Sequence, residues 1–261
     1  MINGLRVLIS NDDGITASGL AVLEKIAHTI SDDVWTVAPE TEQSGASHSL
    51  TINQPLRLRQ VDRQRYAVMG TPTDCVMLAV FHLMRDQKRP DIILSGINIG
   101  ANLGEDVTYS GTVAAAMEGA LLGIRSISLS QVLQFDDRDQ NIPQWDTSEK
   151  FGADIISKLV SLPFWPPGVF MNVNFPDVHP DKVIGIETTV QGQRDTANLK
   201  IDERLDARGE AYYWIGYRDN PKLPKIDTDF DAIARGAISI SPLGINMSDS
   251  SFNEQIRAVL K

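Results

Sequence analysis

Two adjacent carboxylates, Asp12 and Asp13, follow the run Val7-Leu8-Ile9-Ser10-Asn11 and precede Gly14. In an extended strand neighbouring side chains point to opposite faces. The two acids can therefore converge on one ligand only if the chain turns beneath them, a turn that Gly14 permits. Held close, they repel one another and push one pKa upward unless a cation lies between them, which points to a divalent metal at the carboxyl end of a first strand. The competing reading of Asn11-Asp12-Asp13-Gly14 is a solvated strand-to-helix loop with a helix cap.

A second stretch with chemistry in it runs from Gly96 to Thr112. Its glycines, Gly96, Gly100, Gly104 and Gly111, and its asparagines, Asn98 and Asn102, fit a backbone that bends sharply and comes close to a ligand. It ends on Ser110-Gly111-Thr112, directly before the small-residue helical pattern Val113-Ala-Ala-Ala-Met-Glu-Gly-Ala-Leu-Leu. Free amides at that helix start, with two hydroxyls and a glycine, form a phosphate cradle, and the plainer alternative is an N-cap from Ser110 or Thr112. A third stretch, Pro39 to His48, is a polar loop. His48 there is either a proton donor near a site or simply solvated. His28 and His82, on helical patterns, read as structural, and Cys75 reads as a buried small hydrophobe.

These groups need elements to carry them. Arg6–Ser10, Val34–Ala38, Asp91–Ser95, Arg125–Ser130 and Val169–Phe175 read as strands, separated by helical patterns from Ser18, through Val76 to Leu83, from Val113, and over Thr147–Leu162. That alternation predicts right-handed crossovers and an α/β, Rossmann-like, mostly parallel sheet with helices on both faces. Alternating apolar residues over 49–69 predict a hairpin excursion off the sheet, followed by a helix capped by Thr71 or Thr73. Beyond Pro180 the texture changes to alternating strands, Val183–Val190 and Ala211–Tyr217, around a charged segment. The chain thus divides into a catalytic region, 1–180, and a smaller α+β appendage, 181–261. Arg194, Arg204 and Arg208 read as the solvated face of that appendage. Asn253–Lys261 reads as a short amphipathic helix that needs a surface to dock on. Gln131–Asp146 is polar and irregular, and 131–165 carries no recognisable motif.

The 261 residues, 42% of them hydrophobic, are enough for a sizeable core. No apolar run approaches the ~20 residues of a membrane span, and the first residues lack the pattern of a signal peptide, so the expected compartment is the cytoplasm. A single cysteine excludes an intrachain disulfide and a multi-cysteine zinc site. The formal charge of −10 argues against polymeric nucleic acid and anionic membranes as partners. A small phosphate ligand is compatible with it, because a bound cation and a helix N-terminus reverse the potential locally.

Several motifs occur in one order across nearly the whole chain: Ser10-Asn11-Asp12-Asp13-Gly14, Ala38-Pro39 with Gln43-Ser44-Gly45, Gly70-Thr-Pro-Thr-Asp-Cys-Val, Pro90-Asp91 with Ser95-Gly-Ile-Asn-Ile-Gly-Ala-Asn102, Tyr109-Ser-Gly-Thr-Val113 and Ser239-Ile-Ser-Pro-Leu243. Together they resemble the survival protein SurE family of 5′/3′-nucleotidases. The resemblance implies a metal-dependent phosphomonoesterase acting on nucleoside monophosphates, with short polyphosphate a further substrate of some members. It carries metal ligation to Asp12, Asp13, Ser44 and Asn98, an all-oxygen set that suits one Mg²⁺ or Mn²⁺ ion. Ser110, Gly111 and Thr112 would then hold the phosphate. Asn11 would position the phosphate or a ligating carboxylate, beside its plainer reading as a turn residue. Thr41 departs from the basic residue common in the family, so no substrate contact is carried over to it. The resemblance also implies a homodimer or homotetramer with exchanged C-terminal segments, which would pack Phe252–Lys261 on another subunit. Two other readings of the same residues stand beside this one: Asp12 or Asp13 as the nucleophile of an aspartyl-phosphate, and a non-catalytic nucleotide sensor.

Overall fold

The computed structural model describes residues 4–133, 144–194, 199–217 and 225–260. Its strands are β1 (Arg6–Ser10), β2 (Asp33–Pro39), β3 (Arg57–Asp62), β4 (Arg65–Met69), β5 (Ile92–Ile99), β6 (Arg125–Gln131), β7 (Val169–Phe175), β8 (Ile186–Thr188), β9 (Leu199–Leu205), β10 (Ala211–Tyr217) and β11 (Ile238–Gly244). One nine-stranded sheet has the order β3-β4-β2-β1-β5-β6-β7-β11-β8, and β9 and β10 form a separate antiparallel ribbon. Within the large sheet only β3–β4 and β7–β11 pair antiparallel, so the mostly parallel α/β architecture forms as predicted.

The helices are α1 (Ser18–Ile30), α2 (Pro72–Leu78), α3 (Gly111–Leu121), α4 (Asp146–Val160), α5 (Asp229–Arg235) and α6 (Ser250–Val259). On one face α1 and α4 bury Leu20, Leu23, Ile26, Ile155 and Ile156 against β1, β5, β6 and β7. On the other, Cys75 and Val76 of α2 and Ala115 of α3 pack on Leu8, Val37 and Ile93. Thr71 caps α2: its side chain accepts from the Asp74 amide, and the Asp74 carboxylate accepts from the Thr71 amide at 2.9 Å.

The hairpin predicted near 49–69 forms as β3 and β4, but β4 pairs parallel with β2, so the hairpin extends the edge of the sheet instead of leaving it. Strand β5 runs on past Ser95 to Ile99 through an irregularity in its pairing with β6. Beyond Pro180, β8 and β11 are part of the main sheet, and β9 lies in what the sequence presented only as a charged segment. Most of the irregular stretch Gln131–Asp146, and Lys261 at the end of the expected terminal helix, lie outside the described residues.

Strands β6, β7 and β11 depart from the continuous apolar character of most doubly covered parallel strands. Their apolar residues, among them Ile127, Leu129, Val173, Phe175 and Ile238, face α1 and α4. The alternate residues Ser126, Ser128, Ser130, Asn172, Asn174, Ser239 and Ser241 are also buried. Register aligns them in rows, Ser95 beside Ser128 beside Asn172 beside Ser241, and Asn98 beside Ser130 beside Asn174 beside Ser239. The loop after β5 is held against this polar layer. Asn172 and Asn174 both donate to the main-chain oxygen of Asn102, at 2.8 and 3.1 Å, and Asn174 accepts from its amide at 2.9 Å. The Asn102 side chain donates to Ser130 at 2.8 Å.

Helix α1 crosses β5 where no side chain fits. A Cβ on Gly19 would stand 2.0 Å from the main-chain oxygen of Ile97 and 2.8 Å from the Trp145 ring. Both neighbours belong to packed backbone or core, so relief requires moving α1 off the sheet. Gly19→Ala is expected to lower the unfolding free energy by about 3 kcal/mol, the upper end for overpacking, seen as a reduced urea midpoint at unchanged slope.

Candidate functional site

From β1 the chain proceeds to β2 on one side, while β5 is later added on the other. The crevice outside the carboxyl ends of β1 and β5 is therefore the point where strand order reverses, the usual ligand position in an open α/β sheet. Asp12 and Asp13 leave the end of β1, Asn98 lies at the end of β5, and the loop after β2 carries Ser44.

Asp12 is buried, with burial pushing its carboxyl above the ordinary carboxylate range. Opposing that shift, Thr112 Oγ1 donates to Asp12 Oδ1, with further help from the amides of Thr112 and Gly111. The first turn of α3 thus points its free amides at a carboxylate. Gly111 is what allows the approach: a Cβ there would stand 2.7 Å from Asp12 Cβ and 3.0 Å from its Oδ2. Asp13 is pushed up to about 6, first by burial, then by the charge of Asp12, with Glu42 adding to it and the Ile99 amide, 3.4 Å from Oδ2, opposing it. Among the described residues no cationic side chain acts on either acid.

Asn11 sits at the base of the turn. Its Nδ2 donates to the Gly14 main-chain oxygen at 2.9 Å, and its buried Oδ1 has no hydrogen-bond partner among the described residues. Ser110 is the N-cap of α3, its hydroxyl oxygen accepting from the Val113 amide at 3.1 Å. That is the plainer of the two readings of its spacing, and it leaves the hydroxyl proton free to donate. Asn98 uses its Nδ2 on the main-chain oxygens of Ile99 and Gly100, leaving its Oδ1 as an acceptor. Ser44 is exposed and donates to Glu42 at 3.0 Å. Its neighbour Gln43 donates a main-chain amide to the Asp12 carbonyl at 2.7 Å, which ties the β2 loop to the acid pair. Asp12, Asp13 and Asn98 leave the ends of the paired strands β1 and β5, and the Gln43 contact brings the loop that carries Ser44 to the same edge, which therefore offers two carboxylates, an amide oxygen and a loop hydroxyl. This hard-oxygen set, with its uncompensated negative charge and the orphaned Asn11 oxygen, fits a divalent cation such as Mg²⁺ or Mn²⁺.

His48 does not stand alone in solvent: its Nε2 is 2.9 Å from Oε2 of Glu118, a buried acid on α3. Arg194 likewise departs from the solvated face expected of it. Its guanidinium pairs with Asp106 and lies 4.9 Å from the centre of the Phe230 ring, while its amide donates to Glu105 at 2.8 Å. Buried Asp229 completes this clasp by accepting from the amides of Gly104, Gly192 and Phe230, each at 2.8 Å. Sequence reasoning missed Glu118 and Asp229, and gave Asn102 no role beyond the bend of its loop. Glu118 carried a signal, a lone acid inside a helix of small apolar residues.

The family model described as Survival protein SurE matches residues 7–198. The chain belongs to the SurE family. It is 52% identical to a protein named 5′-nucleotidase SurE from Parvibaculum lavamentivorans, covering 94% of this chain and 87% of that one. It is 55% identical to one of the same name from Paramagnetospirillum magneticum, covering 94% and 92%. The crystal structure of the SurE protein from Aquifex aeolicus superposes with a TM-score of 0.85 at 35% identity, over 98% of this chain and all of that one. The SurE motifs read in the sequence fall on the β1 turn, the β2 loop, the α2 cap, the β5 loop, the α3 start and β11.

Thr112 donates a side-chain hydrogen bond to the Asp12 carboxylate. Thr112→Val keeps the shape and removes the donor, so at neutral pH the fold should lose about 1.5–3 kcal/mol, the worth of a hydrogen bond to a charged group. Chemical denaturation of the metal-free protein measures it.

Proposed function

We propose that this chain is a phosphomonoesterase that hydrolyses nucleoside 5′- and 3′-monophosphates to nucleoside and phosphate, and short polyphosphate as well. It would work in the cytoplasm with one divalent cation, Mg²⁺ or Mn²⁺, held by Asp12, Asp13, Ser44 and Asn98. The observation that carries this reading is the meeting of two adjacent desolvated carboxylates with the first turn of α3 in the β1/β5 crevice. The two relatives named 5′-nucleotidase SurE, each covering 94% of the chain, support it.

When bound, the cation supplies the charge that offsets the two acids, polarises a phosphoryl oxygen and acidifies a coordinated water. The chain's own residues do the positioning. Asn11 ties the turn that sets both acids at one edge. Thr112 and Gly111 hold Asp12 in a single orientation, and the Ser110 hydroxyl proton is available to a phosphate oxygen at the positive end of α3.

The test separates the two jobs. Chelation should abolish phosphate release from a nucleoside monophosphate, with Mg²⁺ or Mn²⁺ restoring it. Asp12→Asn removes one charge that holds the cation, so metal affinity and turnover should fall together. Ser110→Ala should keep metal affinity near wild type and lose roughly tenfold to hundredfold in kcat/KM, as for one hydrogen bond to a charged phosphate. Full activity in excess chelator would sink the mechanism. Loss of metal by Ser110→Ala would make Ser110 a ligand.

The segment beyond 180 serves assembly in this reading. Helix α6 has no buried residue, with Phe252 56% and Val259 86% exposed, and the β9–β10 ribbon shows Trp214 60% and Ile215 76% exposed. A helix this short is unstable without packing, so a second copy covering it gives a homodimer or homotetramer. Light scattering at micromolar concentration should report such an oligomer, and deletion of 250–260 should lower its order. A wild-type monomer would count against it.

A further inference from the structure

We propose that the His48–Glu118 pair is a positioning device that holds the Ser44 hydroxyl where the cation needs it. The proposal rests on the reading of Ser44 as a ligand. Glu118 is buried, 7% exposed, on a helix of small apolar residues, and among the described residues the only hydrogen-bond partner of its carboxylate is His48. A buried carboxylate needs such a partner, so the core holds its half of the pair firmly and the loop residue is drawn to it.

The loop between β2 and β3 is otherwise irregular and exposed, yet it is fastened on both sides of Ser44. Upstream, the Gln43 amide binds the Asp12 carbonyl at 2.7 Å. Downstream, Ser47 donates its amide to the Tyr109 carbonyl at 3.1 Å and its hydroxyl to the Thr108 carbonyl at 2.7 Å. Ser47 takes a left-handed backbone, φ 55°, which a serine keeps only when its surroundings impose it. His48, the next residue, supplies the side-chain anchor, and Thr51 then bonds Asp74 at 2.6 Å. Without His48, the Ser47 contacts alone must hold a disfavoured conformation, and Ser44 gains freedom between them and Gln43. Outer residues that orient metal ligands are worth roughly 10–100-fold in metal affinity.

The experiment is Mn²⁺ titration calorimetry on the purified full chain, with the urea midpoint as control. Ser44→Ala and His48→Ala are each expected to weaken Mn²⁺ about tenfold. The double variant should be no weaker than Ser44→Ala, because His48 acts through Ser44. His48→Gln places an amide N–H at about the depth of imidazole Nε2 and should stay within about threefold of wild type. Should His48→Ala fail to fold, His48→Ser takes its place. Wild-type affinity in the His48 loss variant, or additive losses in the double variant, overturns the positioning role while leaving Ser44 a ligand. Wild-type affinity in Ser44→Ala overturns the ligand reading, and the proposal falls with it.

Discussion

The arrangement of the site depends on one buried interaction, the capture of the Asn102 peptide by the polar face of β6 and β7. A loop that enters a sheet's interior brings main-chain groups that water can no longer satisfy. Here Asn172 and Asn174 accept and donate in place of water, and Ser128 and Ser130 complete the layer. The loop after β5 is thereby held at a point between Asn98 and the 104–110 segment. Because α3 begins directly after that segment, the same contacts determine how its first turn meets Asp12.

At that meeting two costs are balanced. Burial disfavours the charge on both acids, and at Asp13 the adjacent charge of Asp12 adds to it. Thr112 and the first-turn amides of α3 stabilise the ionised Asp12, and Gly111 lets them come close enough. Asp13 is left raised to about 6, with only the Ile99 amide in compensation. A fold that keeps an uncompensated acid beside a restrained one is poised to gain by binding a cation. The chain's overall charge of −10 has little bearing on this, because the relevant field is set within a few ångströms.

Residues beyond Pro180 contribute to the same edge. Asp229 ties Gly104 to Gly192, and Arg194 joins Asp106 to Phe230, so the turn in front of Ser110 is braced by residues close to two hundred positions along the chain from β1. The ribbon β9–β10 begins just beyond Arg194 and carries exposed aromatic residues.

The local elements were legible in the sequence because local signals determine them. The Leu20, Leu23, Ile26 spacing makes α1, the Asp-Asp-Gly end makes the β1 turn, and the Thr-Pro-Thr run marks the start of α2, although the structure chose Thr71 over Thr73 as its cap. Motif order was enough to identify the family. Pairing partners were not legible. The 49–69 hairpin has the alternation of any two-stranded unit, and only the free edge of β2 decided that it would extend the sheet. The serines of β6 gave no hint of what they faced, since an alternating polar residue reads as solvated until a loop is known to cover it. Arg194 read as solvated, and His48 as solvated or a proton donor, for the same reason, as their partners Asp106 and Glu118 lie 88 and 70 residues away. Composition and spacing determined the elements and the chemistry they carry. Only the tertiary structure decided which buried charge each loop residue would answer, because such pairing depends on distance in space and not along the chain.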